Sequence, residues 1–285
     1  MPPNLGSAAA NAGNLGASVV GSGSANWRKL LPAAGVAFSA FLLFGVMIGW
    51  PGHVVLVVSL LAAYLVDREL FNDLLLIGVG IAIVSTTSVE ADISWPRFIL
   101  LGFVLASAVV VPVAIDRLIY RRRAIRFPWF TGRRWTRLQW AYVVAVPLLG
   151  WLVLPFYFIR SGAYQNWPPI QTPSEFGRFF VGVNSVGLWD ELFFICICFA
   201  LLCRHFPLWQ ANLLQATIFV SFLWELGYRE WGPVLTIPFA LLQGYIFTKT
   251  KSLTYVVIIH LLFDAVVFFA IVHAHDRSVF PFFIY

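Results

Sequence analysis

The sequence is short of charge. Only 11% of its 285 residues are charged, while 60% are hydrophobic and the mean hydropathy is +0.83. A soluble globular domain carries about 25% charged residues, so that class is excluded. Cysteine is scarce too, and Cys196, Cys198 and Cys203 all fall in one apolar run. An odd, clustered set inside such a run is not a disulfide framework. Positions 196 and 198 would point about 200° apart on a helix, so these residues read as small hydrophobes. There is no H-E-x-x-H or other dense metal signature. Nothing points to a nucleic-acid partner: of the basic residues, eight arginines crowd into 117–137, between two apolar runs, where a membrane loop accounts for them. Binding of anionic lipid head groups is a further use for that loop. Residues 1–26 carry no charged side chain. They lack the basic n-region and compact apolar core of a secretory signal, and 1–29 reads as a flexible tail.

What the chain does have is apolar runs. Nine are visible, at 30–50, 53–66, 70–89, 98–115, 138–159, 179–203, 208–227, 232–248 and 252–273. Several approach or exceed the 18 residues or so that a membrane span needs. The fold class is therefore all-α, a polytopic membrane helical bundle of about 8–9 transmembrane helices. The second run is short and reads as either re-entrant or extended back through Trp50-Pro51. The expected organisation is a tail (1–29), N-terminal transmembrane helices (30–159), a Pro-rich polar loop (160–178), a transmembrane core (179–273) and a C-terminal tail (274–285). Placing the arginine loop in the cytoplasm puts 14 Lys and Arg on the inner side and 5 on the outer. That split supports nine spans with the N-terminus inside and the C-terminus outside.

The polar residues of the front half lie near run ends: Asn72, Asp73, Glu90 and Asp116. Those of the back half do not. Asp190 and Glu191 stand side by side in Phe179–Cys203, a stretch with no other charge. A carboxylate near the bilayer centre costs about 2.5–3.5 kcal/mol on insertion scales, which makes an intramembrane ionisable residue a functional-site candidate. Adjacent helical residues point about 100° apart, so the two cannot aim along one axis. His260 and Asp264, at i and i+4 of the last run, share one helix face. One shared pocket is cheaper than two separate buried pairs. A carboxylate base with an imidazole that polarises a carbonyl suits amide hydrolysis. Glu225 is a weaker candidate, because Arg229 at i+4 offers it an ordinary ion pair. His273, His275 and Asp276 form HAHD at the end of the last run and read as a solvated terminus.

From about Ser174 to Phe269 the chain resembles the CPBP family of CAAX proteases and bacteriocin-processing enzymes. That family includes the type II CAAX prenyl proteases and the lysostaphin-resistance-like proteins. Its first motif, Glu-Glu-x-x-x-Arg, is matched by DELFFI, with Asp190 and Glu191 in the acidic positions and Ile195 in place of the Arg. Its last motif, His-x-x-x-Asn/Asp, is matched by HLLFD, with His260 and Asp264. Its middle motif, Phe-x-x-x-His, finds no histidine between Asn212 and Lys251; SFLWE, ending at Glu225, is a nearby candidate. The resemblance implies a membrane-embedded endopeptidase acting on a membrane-associated or lipidated peptide, in a bacterial inner or plasma membrane. It makes Glu191 the base that activates water, with Asp190 in support, and His260 with Asp264 the oxyanion side. Glu225 would replace the missing His only if its helix delivers it to the pocket. No cofactor is evident; a divalent metal is left open, with Glu191 and His260 as candidate ligands. The lost Arg and His favour a second reading, a catalytically impaired relative that binds a membrane partner. A proton-coupled transporter is a third reading, disfavoured by the lack of an internal repeat.

Overall fold

The computed structural model describes residues 27–285. The expected tail, up to residue 26, lies outside the described residues, while Arg28 and Lys29 already belong to the first helix. Among the described residues there are nine helices and no strands. They are α1 (Trp27–Ala40, continued by a π-turn at Phe41–Gly45), α2 (Gly49–Val66), α3 (Arg68–Val84) and α4 (Trp95–Ala114, continued by a π-turn at Ile115–Ile119). There follow α5 (Arg137–Ser161), α6 (Pro173–Asp190, running on without a break to Leu202), α7 (Leu208–Leu226), α8 (Pro233–Thr250) and α9 (Leu253–His275). Six of these runs (α1, α2, α4, α5, α6 and α9) are long and apolar enough to cross a membrane. The protein is an integral membrane helical bundle. The second apolar run is not a fragment: α2 takes in Trp50 and Pro51 and reaches 18 residues.

Local chemistry marks the boundaries. Thr136 and Gln139 form a capping box at the start of α5, and Thr172 and Glu175 form one at the start of α6. Each satisfies two N–H groups that the helix itself cannot. Gly162 ends α5 in the left-handed conformation at φ 76°, where a side chain would be strained. Pro147 and Pro155 inside α5 are tolerated because neighbouring helices enclose the freed carbonyls.

Contacts between helix ends sort the loops into two faces. On one, Lys29 meets Asp67, Arg122 meets Asp73 and Asp116, and Leu253 N–H donates to the Pro128 carbonyl. On the other, Glu225 meets Val89, Arg229 meets Glu90, and His275 meets the Trp167 carbonyl. The first face carries the 117–137 arginines.

Two polar regions differ from expectation. Asp73 and Asp116 are near helix ends but are 1% and 0% exposed, because the loop after α4 folds over them. Most of residues 276–285 are exposed, but the HAHD histidines are not. The C-terminal residues fold back so that His273 contacts the Val279 and Tyr285 carbonyls, and Phe280, Phe282 and Phe283 cover the end of α9. The HAHD histidines are thus hydrogen-bonded to backbone.

Candidate active site

Four helices meet around one imidazole. α6 supplies Asp190 and Glu191, α9 supplies His260 and Asp264, α8 supplies Gln243 and Phe239, and α7 supplies Phe219. α6 changes geometry at the acidic pair: it is α-helical to Asp190 and π-helical from Glu191 to Phe199. Such widened turns occur often at functional sites. Below this point Trp189 stacks on Phe193 at 5.1 Å and Phe194 on Phe219 at 4.4 Å. This aromatic layer is rigid support for the pair above it.

The structure brings four of the five sequence candidates together. His260 Nδ1 donates to Glu191 Oε1 at 2.7 Å. On the other side of the ring, Nε2 lies 3.7 Å from Asp190 Oδ2 and 3.8 Å from Asp264 Oδ1. The divergence of adjacent residues is thus put to use: the two acids flank one ring from its two nitrogens. Asp190, Glu191, His260 and Asp264 are all at most 5% exposed. α6 and α9 come this close because residue 187 is glycine; a Cβ there would lie 1.9 Å from Asp264 Oδ2.

Sequence reasoning missed Gln243. Its Nε2 donates to Glu191 Oε1 at 2.5 Å, and at 3.5 Å reaches the Val256 carbonyl. A buried polar residue in the middle of an apolar run, ALLQGYIF, was the available signal. Glu191 Oε2 and Asp190 Oδ1 have no protein hydrogen-bond partner among the described residues.

The site opens into a cavity of 290 Å³. Asp190, His260 and Asp264 form its floor, while Glu191 is not on its wall. Its sides are largely apolar, with Phe98, Leu101 and Leu105 of α4 and Phe239 and Phe263 opposite. Trp167, Arg178 and Tyr228 stand at its mouth, on the face away from the arginine loop. Burial pushes the Tyr228 phenol well above its ordinary pKa, an effect that the carboxylate of Asp264 reinforces, so it is a neutral donor there.

Glu225 is not brought in. Its Oε1 accepts from the Val89 N–H at 3.2 Å, away from His260. Nor does it pair with Arg229, which bonds Glu90 at 2.7 Å. The cavity wall beside α7 is formed by Leu223 and Leu226. Ile195, in the place of the motif Arg, is 0% exposed. No group of three His, Cys, Asp or Glu side chains among the described residues is arranged to hold a metal ion. Glu191 and His260, the candidate ligands, are bonded to each other instead. The cysteines are unpaired.

Residues 172–266 match the family described as type II CAAX prenyl endopeptidase, Rce1-like. The chain is similar to that family over this stretch. The stretch begins at the α6 capping box and ends two residues past Asp264, so it contains Asp190, Glu191, Gln243, His260 and Asp264. It occupies a third of the chain, and α1–α5 lie outside it. No curated protein and no solved structure matches the chain.

Proposed function

We propose that the protein is a membrane-embedded endopeptidase of the CAAX protease type, cleaving a peptide bond near the end of a membrane-associated or lipidated substrate. The observation that carries this reading is the orientation of His260: Nδ1 is tied to Glu191 and Nε2 faces an apolar cavity beside two further carboxylates.

The roles proposed here differ from those the motif resemblance implies. Glu191, held by Gln243, fixes the direction of the His260 imidazolium from behind, so it is a positioning residue. Asp190 lies on the cavity floor and is the base. It takes a proton from water, the resulting hydroxide attacks the scissile carbonyl carbon, and His260 Nε2–H stabilises the oxyanion. The C–N bond then breaks, and the proton held by Asp190 passes to the leaving amine. Asp264, one turn beyond His260, maintains the charge of the imidazolium through the reaction. Glu225 has no part in this scheme. By the positive-inside rule the cavity opens on the extracytoplasmic side, with the N-terminus inside and the C-terminus outside.

The test uses an internally quenched prenylated peptide and purified protein. Asp190→Asn and His260→Ala should each lower kcat about 10²–10⁴-fold with the fold retained. Glu191→Gln should lower kcat and shift the pH profile, since it acts through the imidazole. Wild-type rates in both Asp190→Asn and His260→Ala would refute the roles. A second reading has a specific observation in its favour: among the described residues no Lys or Arg pairs with the cluster, Ile195 stands where the resemblance calls for Arg, and Glu225 is bonded to the Val89 N–H. A catalytically impaired binder would retain the prenylated peptide on the wild-type protein with no cleavage.

A further inference from the structure

We propose that the arginine-rich face holds a specific site for the phosphate of an anionic phospholipid. A second cavity, of 200 Å³, lies between the start of α5, the end of α8 and the start of α9. Arg133, Arg134 and Lys249 line it, together with Thr136, Gln139 and Tyr255. No Asp or Glu lines it. None of the three cations makes an ion pair among the described residues; Lys249 lies 5.3 Å from the Tyr245 ring. Their charge is left for a ligand, and hydroxyl and amide groups line the same hollow. Two helices of 25 and 23 residues, α5 and α9, begin at it, and their positive ends reinforce the potential.

The rim decides between a lipid and a free anion. Phe130, Leu138 and Trp140 on the same segment are 91%, 79% and 55% exposed. Trp135 packs between Trp140 and Tyr255 at 4.7 and 5.0 Å, fixing the rim to α9. Aromatic and apolar side chains beside basic ones mark the membrane interface, where polybasic segments attract anionic leaflet lipids. A phospholipid fits both features, with its phosphate in the hollow and its acyl chains against Phe130 and Leu138. A free phosphate would use the charges and leave the rim exposed.

The site bears on the catalytic end of the bundle while resting on none of its chemistry. Tyr255 precedes His260 by five residues on α9, and Lys249 follows Gln243 by six on α8. A lipid bound between them clamps the α8–α9 turn, and with it the helices that hold His260 and Gln243 in register.

The test is lipid retention by native mass spectrometry and the thermal midpoint of purified, detergent-solubilised protein. The added probes are phosphatidylglycerol, phosphatidylcholine and inorganic phosphate. Phosphatidylglycerol should be retained and should raise the midpoint, with little effect from the other two. Arg133→Gln/Arg134→Gln/Lys249→Gln should lower the apparent affinity for phosphatidylglycerol about a hundredfold. Arg117→Gln/Arg123→Gln, which removes two charges elsewhere on the loop, should leave it unchanged. Equal loss in both variants, or an undiminished effect in the triple variant, overturns the proposal. So does stabilisation by inorganic phosphate equal to that by the lipid, which would make this a free-anion site. Should the triple variant fail to fold, Lys249→Gln alone should weaken retention about fivefold, and unchanged retention overturns the proposal.

Discussion

Two clusters of buried acids, one near the arginine-rich face and one within the spans of α6 and α9, differ in one respect. In the first, Asp73 and Asp116 are met by Arg122 at 2.5 and 2.8 Å, and Asp73 also by Arg204 at 3.1 Å and His205 at 2.8 Å. Two carboxylates face two guanidiniums and an imidazole, so charge is balanced. Arg204 and His205 come from the loop between α6 and α7, so the cluster also ties the front helices to the stretch similar to the Rce1-like family. In the second, Asp190, Glu191 and Asp264 face one basic side chain, His260, with the neutral Gln243 amide on Glu191. Burial is as deep, yet three acids share one basic partner. A balanced cluster holds a structure together. An unbalanced one keeps groups that can accept or release a proton, and it sits where a cavity reaches it.

The contrast predicts opposite responses to losing one member. Arg122→Ala leaves two buried carboxylates without their main counterion, and breaking a buried pair in this way costs about 3–5 kcal/mol. It should lower the thermal midpoint strongly and leave the residual folded fraction competent in peptide binding. Asp190→Asn removes one of three crowded acids. It should leave the midpoint unchanged or raise it while abolishing turnover, the trade expected where a site is strained for function. Equal destabilisation in the two variants would erase the distinction.

The sequence made the second cluster legible and hid the first. Asp190, Glu191, His260 and Asp264 stand in the middle of apolar runs, where the expense of a charge is conspicuous, and the His-x-x-x-Asp spacing places two of them on one face. Asp73 and Asp116 stand near run ends, where a charge is ordinary; only the path of the loop after α4 shows that they are buried. Gln243 was overlooked because an uncharged amide raises no alarm in a hydropathy reading. Glu225 misled for the converse reason: its position near the end of α7 fixes its depth, and the helix phase that turns it to Val89 is set by packing. The nine helices among the described residues were readable from run length, while six of them are long and apolar enough to cross a membrane. Which nitrogen of His260 each of Asp190 and Glu191 faces was not readable, since it depends on the π-helical turn that follows them.

A smaller effect should come from the glycine that lets α6 and α9 meet. Gly187→Ala places a methyl group 1.9 Å from the Asp264 carboxylate and 3.2 Å from the His260 ring. Overpacking of this kind costs about 1–3 kcal/mol. Its burden should fall on the unbalanced cluster, so kcat should drop by more than the modest fall in thermal midpoint implies. A variant with full activity would mean that the approach of the two helices is incidental to the chemistry.

A third acid–base contact between helices calibrates the scale, because it is only partly buried. Lys29 Nζ meets Asp67 Oδ2 at 2.5 Å, with both side chains about a quarter accessible. Asp67 also caps α3, accepting from the Leu70 N–H at 2.8 Å. The Lys29 hydrogen bond, and next that of Leu70, hold its carboxyl below the ordinary value. Its stabilising contribution is therefore present above a pH of about 3.9 and is lost as pH falls through the lower folded value. An exposed pair contributes about 0–1 kcal/mol and a lost cap about 0.5–2 kcal/mol. Asp67→Ala should forfeit both. Asp67→Asn keeps a competent cap and loses only the charge, so it should lie close to wild type at neutral pH, with a flatter stability profile in acid. If Asp67→Asn destabilises as much as Arg122→Ala, then burial is not what separates the clusters, and the contrast between balanced and unbalanced acids would need another basis.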